Sequence, residues 1–401
     1  MTASRLRRLA LAALLPLLAL LAVPLTGTAG ASTPTVLHDY IVVLQPGTAS
    51  SAAVATDHLA LFGGTLRHVY DHALQGYAAS LPDGALGALR ADPRVAFVEP
   101  DGVMRAVATQ TNATWGLDRI DQRSRPTDGT FTYTATGSNV KAYIIDTGIR
   151  FSHSDFGGRA IRGTDTVSGG GLLGLGGGGS TNGEDCNGHG THVAGTVGGT
   201  TYGVAKQATL VAVRVLGCGG SGATSGVIAG VDWVTGDHQA GQPAVANMSL
   251  GGGASSALDT AVQNSINDGV AYAIAAGNGN LLGQAENACN TSPARVAAAM
   301  TISATDSTDR KASWANYGNC VDWFAPGVSI TSDWYTSDTA TNTISGTSMA
   351  SPHAAGVAAQ YLQGSPGASP AQVRDALYAL TTKGIVTSSN TANNHLLFTN
   401  L

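Results

Sequence analysis

Short apolar runs alternate with stretches rich in alanine and glycine over most of the chain after residue 140. Near-continuous apolar runs are typical of strands that are buried on both faces of a parallel sheet. The segments between them have the length and composition of helices. The pattern predicts an α/β fold, a three-layer α/β/α sandwich with a mostly parallel sheet. Its predicted strands are Val140–Asp146, Thr209–Leu216, Ala244–Leu250, Val270–Ala276 and Ala298–Ser303.

A different order of elements occurs between residues 38 and 107. Strand-like and helix-like segments follow each other as strand, helix, strand, helix and strand, which predicts a small α+β unit with its strands packed against two helices. An independent binding domain is the alternative interpretation of this unit. The predicted strands are Tyr40–Leu44, Gly76–Leu81 and Val95–Pro100, and the predicted helices are Ala49–Phe62 and Gly84–Asp92.

Residues 1–31 have the pattern of a signal peptide. Arg5, Arg7 and Arg8 precede a run rich in leucine and alanine, which ends in the small residues Ala29-Gly-Ala31. An uncleaved anchor is the alternative. No later stretch reaches the roughly 18 uninterrupted apolar residues that span a bilayer. We therefore expect a secreted, extracellular product with no membrane association after signal cleavage.

Composition excludes some partners. Charged residues make up 12% of the chain and its formal net charge is −5, so neither a nucleic-acid surface nor a basic membrane surface is indicated. The glycine-rich segment 168–180 contains a formal match to a dinucleotide-binding pattern, but no strand precedes it and no helix follows. We expect a surface loop there.

The roughly 290 residues from 108 to 401 suit one large α/β domain.

Three segments contain candidate catalytic residues. An apolar run ends at Asp146, His189 lies between two glycines before a helix-like stretch, and Ser348 lies at the predicted start of a helix with Pro352 in its first turn. A serine hydroxyl needs a base, and the base needs a partner that orients it. The order Asp, His, Ser is one of those known for such triads. The three residues predict a serine endopeptidase.

Each segment also has a simpler explanation. An Asp-Thr-Gly sequence is by itself a turn signal, and Gly-Thr-Ser before a helix can be a plain N-cap. His189 and His192 are three residues apart and could form a metal pair, but no Glu follows in the His-Glu-x-x-His sense and no third ligand cluster is evident. The presence of all three segments in order favours catalysis.

The segments resemble those of the subtilisin-like peptidases, in particular the proteinase K/aqualysin-like branch, from about Thr114 to the C-terminus. The resemblance implies a triad of the three residues above, with His192 in a structural role. It also implies that Asn278, which follows a buried strand pattern, donates its side-chain amide to the oxyanion. The backbone N–H of Ser348 would be the second donor. Such a donor is typically worth about 2.7 to 4 kcal/mol in the transition state.

Residues 38–107 resemble the propeptide inhibitor domain of the same peptidases, whose C-terminal tail lies in the active-site cleft. The resemblance implies a zymogen that processes itself and whose own propeptide acts as intramolecular chaperone and inhibitor. We predict cleavage between Val107 and Ala108, with Met104–Val107 in the subsites before the scissile bond.

Two segments with few side chains are predicted to hold the substrate. An extended polypeptide can pair with such exposed backbone as an added strand. The presumed primary pocket has small, uncharged walls, so we expect polypeptide substrates with a broad preference for an apolar or aromatic residue before the cut. Thr224, where proteinase K has a tyrosine, leaves the outer preference open. We expect a monomer. The candidate substrate-binding residues are Gly220, Ser221, Gly222, Ser249, Leu250, Gly251, Gly252, Ala275, Ala276 and Gly277.

Four cysteines in a secreted chain allow three disulfide connectivities. Their positions resemble those of the aqualysin-like enzymes, and this resemblance implies the pairs Cys186–Cys218 and Cys289–Cys320. No cysteine nucleophile is proposed.

Calcium is implied only by the resemblance. The matching donors would be the carboxylate of Asp322 and the backbone carbonyls of Ala297 and Ala299, holding a stabilising ion. Neither an EF-hand spacing nor a dense carboxylate cluster is present, and Asp322 could equally be a structural hydrogen-bonding residue. No cofactor is expected for catalysis.

Two rival functions belong to other classes. Serine-carboxyl peptidases also use a Gly-Thr-Ser segment, but their base is a Glu and their oxyanion donor an Asp, where this chain has His189 and Asn278. A catalytically silent binding or inhibitor protein on the same scaffold would be indicated by a missing triad residue, and none is missing.

Overall fold

The computed structural model describes residues 36–48, 50–102, 108–167, 181–280 and 282–401. The described chain forms two units, one ending at residue 102 and the other beginning at residue 108. Three predictions lie outside the described residues: the signal peptide at 1–31, the subsite residues Met104–Val107 and the surface loop at 168–180.

An antiparallel sheet and two helices make up residues 36–102. Their bounds are β1 (Leu37–Leu44), α1 (Ser51–Phe62), β2 (Thr65–Tyr70), β3 (Gly76–Pro82), α2 (Leu86–Ala91) and β4 (Val95–Pro100). The strands lie in the order β2, β3, β1, β4. Tyr40, Val42 and Leu44 alternate along β1 and are buried with Leu81 and Leu89, so one face of the sheet carries the core of this unit.

The sequence pattern does not predict β2, which lies at one edge of this sheet. Most of its residues are exposed, and Leu66 keeps 39% of its surface accessible. An edge strand that buries little side-chain surface has no apolar alternation for a pattern search to detect.

The second unit is built around a seven-stranded sheet in which every pair of neighbouring strands is parallel. Its elements are β5 (Ala108–Thr111), α3 (Trp115–Ile120), β6 (Thr130–Tyr133), β7 (Lys141–Asp146), β8 (Ala160–Asp165), α4 (His189–Gly198), β9 (Thr209–Arg214), α5 (Thr224–Asp237), β10 (Ala244–Met248), β11 (Gly252–Gly253), α6 (Ser256–Asp268), β12 (Ala271–Ala275), β13 (Thr291–Ser292), β14 (Met300–Thr305), β15 (Trp323–Pro326), β16 (Ile330–Asp333), β17 (Thr341–Ile344), α7 (Thr347–Gly364) and α8 (Pro370–Leu380).

The sheet has the strand order β15, β14, β12, β10, β7, β9, β8 and separates two cores. Ala142 and Ile144 of β7 pack with α4 and α7 on one face, whereas Tyr143 and Ile145 pack with α5 and α6 on the other. The predicted three-layer α/β/α sandwich is therefore confirmed.

The five predicted strands correspond to β7, β9, β10, β12 and β14, with bounds that differ by up to two residues. The pattern does not predict the two edge strands, β8 and β15. In β8 two side chains are exposed, Arg162 and Ile161, the latter at 42%, which breaks the apolar run that a central strand shows.

Pro352 is not in the first turn of its helix, as the sequence analysis expected. Helix α7 already begins at Thr347, so Pro352 lies one turn further in, where a proline removes one backbone hydrogen bond. The structure forms both disulfides, Cys186–Cys218 and Cys289–Cys320. Within the described ranges, no helix is both long and apolar enough to cross a membrane.

Candidate active site

The candidate catalytic residues meet at the carboxyl end of the parallel sheet. Asp146 is the last residue of β7, Ser249 follows β10, and Asn278 follows β12. These three strands are neighbours, so their ends lie side by side at one edge of the sheet, which is where α/β proteins place their sites. His189 is the first residue of α4 and Ser348 the second residue of α7.

Asp146 holds the imidazole of His189. Nδ1 of His189 donates to Oδ1 of Asp146 at 2.7 Å, and the same oxygen accepts the backbone N–H of Thr147 at 2.7 Å. Asp146 is fully buried. A carboxylate at Nδ1 leaves Nε2 of the neutral ring without a proton, free to act as a base.

Burial and nearby negative charge shift the pKa of His189 in opposite directions. Burial lowers the pKa of the imidazole, but the charge of Asp146, the hydrogen bond to it and the charge of Asp185 raise it more, so the pKa lies above its ordinary value.

Asp185 organises the loop that leads to His189. Its two carboxylate oxygens accept bonds from the side chains of Thr147 and Thr191 and from the backbone N–H groups of Asn187, Gly188 and Thr191, all within 3.0 Å. A buried acid at the start of α4 also suits the positive end of the helix dipole. The sequence analysis missed this residue, although its position four residues before the histidine was a usable signal.

Ser348 is buried, with 8% of its surface exposed, and its hydroxyl donates to the backbone carbonyl of Ser249 at 3.2 Å. Attack on a substrate therefore requires Oγ to rotate from this carbonyl towards His189. Such rearrangements are common between the free and the substrate-bound forms of an active site.

Two hydrogen-bond donors, the side-chain amide of Asn278 and the backbone N–H of Ser348, lie beside Gly346. Oδ1 of Asn278 accepts both the backbone N–H and the hydroxyl of Thr347 at 2.8 Å, which turns the Nδ2 donor of Asn278 the other way. A Cβ atom added at Gly346 would lie 3.5 Å from Nδ2 of Asn278 and 3.5 Å from the backbone nitrogen of Ser348. The N–H of a residue in the first turn of a helix has no intrahelical partner. The space next to Gly346 is therefore suited to a negatively charged oxygen.

Two cavities adjoin the triad. One, of about 330 Å³, is lined by His189 and by all seven predicted residues of the segments Gly220–Gly222 and Ser249–Gly252. The other, of about 400 Å³, lies next to Ser348 and Asn278 and is lined by part of the second segment, by Ala275 and Gly277 and by others.

Two details of the second cavity differ from the expectation. Ala276 does not line either cavity: it is fully buried, and its carbonyl accepts a bond from the side-chain amide of Asn316 at 3.0 Å. The walls are also not free of charge, because the exposed Glu286 contributes to them. Its position in a loop after the strand gave no signal in the sequence.

Comparisons with known proteins agree with this geometry. A model of the subtilase family matches residues 137–397, and a model of peptidase inhibitor I9 matches residues 39–106. An extracellular serine proteinase of Thermus sp. is 56% identical over 355 residues, which are 88% of this chain and 82% of that protein. Alkaline serine exoprotease A of Vibrio alginolyticus is 50% identical over 344 residues, 84% of this chain and 61% of that protein. The chain belongs to the subtilase family.

A solved structure leads to the same family. The crystal structure of a cold-adapted subtilisin-like serine proteinase is 50% identical, covers 73% of this chain and 100% of its own, and superposes with a TM-score of 0.67. The present subtilase is a secreted, extracellular serine endopeptidase made as a zymogen with an inhibitor-type propeptide. Its family needs no cofactor for catalysis, and nothing supports the alternative of a silent binding protein.

His192 does not join His189 in a metal site. Its Nε2 donates to the backbone carbonyl of Ile330 at 3.0 Å, and burial lowers the pKa of the ring to about 4. The described residues contain no group of three or more His, Cys, Asp or Glu side chains that could hold a metal ion.

Asp322, the one side-chain donor of the expected calcium site, is already paired with protein groups in this subtilase. Oδ1 of Asp322 accepts two bonds from the guanidinium of Arg374, at 2.6 and 3.2 Å, and Oδ2 accepts the backbone N–H of Thr301 at 2.8 Å. Arg374 thus supplies a positive charge at the one carboxylate of the expected calcium site. Asp322 acts here as a structural hydrogen-bonding residue, the alternative that its sequence context left open.

Proposed function

We propose that Ser348, His189 and Asp146 form the catalytic triad of this subtilase. Oγ of Ser348 attacks the scissile carbonyl carbon while Nε2 of His189 takes its proton, and Asp146 stabilises the resulting imidazolium. The tetrahedral oxyanion accepts bonds from Nδ2 of Asn278 and the backbone N–H of Ser348. His189 then protonates the leaving amine, and water hydrolyses the acyl-enzyme by the same steps.

One observation carries the proposal. The Asp146–His189 hydrogen bond of 2.7 Å orients a base beside the first cavity, and the two donors beside Gly346 lie at the helix start that presents Ser348 to the adjoining second cavity. A nucleophile, an oriented base and an oxyanion site within one cleft are the parts that acyl transfer requires.

We further propose that the substrate is an extended polypeptide lying between Gly220–Gly222 and Ser249–Gly252. Both segments line the first cavity, and both are poor in large side chains. The second cavity is proposed as the primary pocket, with a broad preference for apolar or aromatic residues. The enzyme is proposed to act as a monomer.

The proposed domain organisation is a signal peptide at 1–31, a propeptide at 38–107 and a peptidase domain at 108–401. Cleavage between Val107 and Ala108 by the enzyme itself would release the peptidase domain. The inhibitor I9 match over residues 39–106 supports the propeptide assignment.

The test compares wild type with Ser348→Ala. We expect the secreted wild type to begin near Ala108, to hydrolyse an apolar succinyl-peptide chromogenic substrate and to be blocked by a serine-directed phosphonofluoridate. The variant should be unprocessed and silent. Turnover by the variant would refute the triad, and normal processing without turnover would show that another protease matures the chain.

The oxyanion site has its own test. Asn278→Ala should lower kcat by about 10²- to 10³-fold with little change in KM, because the donor acts mainly in the transition state. Gly346→Ala should cause a comparable loss, since its methyl group would occupy the space between both donors. A variant at Asn278 that changes KM alone would contradict the role.

A further inference from the structure

The helix that presents Ser348 has a gap in its hydrogen-bond ladder next to the nucleophile. In an α-helix the carbonyl of a residue accepts the N–H four positions later. The residue four positions after Ser348 is Pro352, which has no N–H. The carbonyl of Ser348 therefore has no intrahelical donor, and it lies in a buried segment where an unpaired carbonyl is costly.

Ser249 supplies the missing donor from a different part of the fold. Its hydroxyl donates to the carbonyl of Ser348 at 2.8 Å, across 99 positions of sequence. Since a hydroxyl has one hydrogen, its remaining contacts must be with donors. These are Nδ2 of Asn247 at 2.8 Å and the hydroxyl of Ser351 at 2.9 Å. Ser249, Asn247 and Ser351 are each at most 3% exposed, so water does not compete for these bonds.

We propose that the hydroxyl of Ser249 is a positioning group for the nucleophile. It fixes the peptide plane of Ser348. The backbone carbonyl of Ser249 also accepts a bond from the Ser348 hydroxyl at 3.2 Å. Ser249 thus bonds to both the carbonyl and the hydroxyl of Ser348, and the bond to the carbonyl is the one that persists when Oγ rotates towards His189. This role is separate from the backbone contact with substrate proposed above, and it rests on Ser348 being the nucleophile.

The role predicts a kinetic signature. Without its hydroxyl the first turn of α7 can shift, and a misplacement of about 1 Å can cost about 10²-fold in rate. Ser249→Ala should lower kcat by about 10- to 100-fold per active site titrated with phosphonofluoridate. KM should stay within about twofold, because the backbone of residue 249 is retained.

Rescue by a second substitution is the decisive test. Pro352→Ala restores an N–H that can bond to the carbonyl of Ser348, so the double variant Ser249→Ala/Pro352→Ala should recover at least about tenfold of the kcat lost in Ser249→Ala. Ser265→Ala is the matched control: its fully buried hydroxyl accepts a bond from Tyr272 away from the triad, and kcat should not change.

Each outcome decides between explanations. A double variant no faster than Ser249→Ala, or a loss that appears in KM alone, would overturn the positioning role. If Ser249→Ala does not fold, the comparison becomes Pro352→Ala against the double variant, and a further loss of about tenfold or more would overturn the role. Turnover by Ser348→Ala would refute the proposed function itself, whatever the rescue shows.

Discussion

Buried acids lie near both ends of helix α4, and their surroundings are opposite. At the start of the helix, Oδ1 of Asp146 accepts bonds from Thr147 and His189 while its Oδ2 has no partner among the described residues, and Asp185 accepts five bonds. Near its end, Asp333 is fully buried, and among the described residues no N–H or hydroxyl group donates to either of its carboxyl oxygens.

The position of Asp333 is set by close packing against the helix. A Cβ atom at Gly195 or Gly199 would lie 2.7 or 3.1 Å from its Oδ2. Nδ1 of His153 lies 3.5 Å from its Oδ1, but this nitrogen accepts the backbone N–H of Asp155, and Nε2 donates to a backbone carbonyl. The neutral ring therefore has no second proton for Asp333.

The difference shows how a buried carboxyl group acquires its charge state. Donors to Oδ1 of Asp146 and to both oxygens of Asp185 replace lost hydration, and both charges raise the pKa of His189. For Asp333, burial raises the pKa to about 8. The nearby charge of Asp155 and a side-chain hydrogen bond to that carboxylate add to the effect, while the charge of Arg159 opposes it. The same residue type is thus suited to catalysis at one end of α4 and to holding a proton at the other.

The largest expected effect comes from removing the charge at the catalytic end. Asp146→Asn should lower kcat by about 10⁴-fold, because the amide favours the wrong tautomer of His189. Steady-state hydrolysis per titrated active site measures the loss. Asp268→Asn is a matched control, since Asp268 also accepts from Nδ1 of a histidine, His238, at 2.8 Å, but away from the triad. Equal losses in both variants would contradict the assignment.

A stability effect is expected at the other end of α4. Because the folded-state pKa of Asp333 lies above the unfolded value of 3.8, the folded protein binds the extra proton and loses stability as pH rises from about 4 to about 8. Asp333→Asn removes this loss. The Tm of the inhibitor-blocked variant should exceed that of blocked wild type by on the order of 5 °C at pH 8, and the difference should shrink towards pH 4.

Asp306 provides a control of opposite sign for this measurement. Burial raises the pKa of its carboxyl, but bonds from Thr308 and the backbone of Arg310 lower it more, so the net shift is downward. Asp306 therefore adds stability above the unfolded pKa, and Asp306→Asn should lose Tm relative to wild type as pH rises. A pH-independent difference for Asp333→Asn would show that its carboxyl stays ionised when folded.

The smallest expected effect is a shift in pH dependence. The pKa of His189 lies above its ordinary value, so kcat/KM should fall on the acid side at a pH above the usual histidine range. Asp185→Asn removes one of the charges that raise this pKa and should move the acid limb to lower pH. Thr191→Val removes a donor to Asp185 but leaves the charge of Asp185 unchanged, so the acid limb of the kcat/KM profile should stay in place. A limb that moves upward in Asp185→Asn would contradict the electrostatic role.

The central strands and the candidate triad were predictable because their signals are local. A strand buried on both faces needs a continuous apolar run, and β7, β9, β10, β12 and β14 show one. The edge strands β2 and β8 lack this signal because several of their side chains are exposed, whereas β15 is buried and apolar but only four residues long and ends at Pro326. Flanking glycines and small residues indicated helix starts near His189 and Ser348. They did not indicate that α7 begins early enough to place Pro352 beyond its first turn.

The sequence by itself determined the fold class, the family and the candidate residues that carry chemistry, since each depends on short patterns of neighbours. The tertiary structure decided the contacts that give these residues their properties. It turned the amide of Asn278 through Thr347, paired Asp322 with Arg374, and brought Ser249 to a carbonyl 99 positions away. It also left Asp333 without an N–H or hydroxyl donor among the residues that the structure describes. These outcomes depend on which distant groups share a buried space, and no local pattern contains that information.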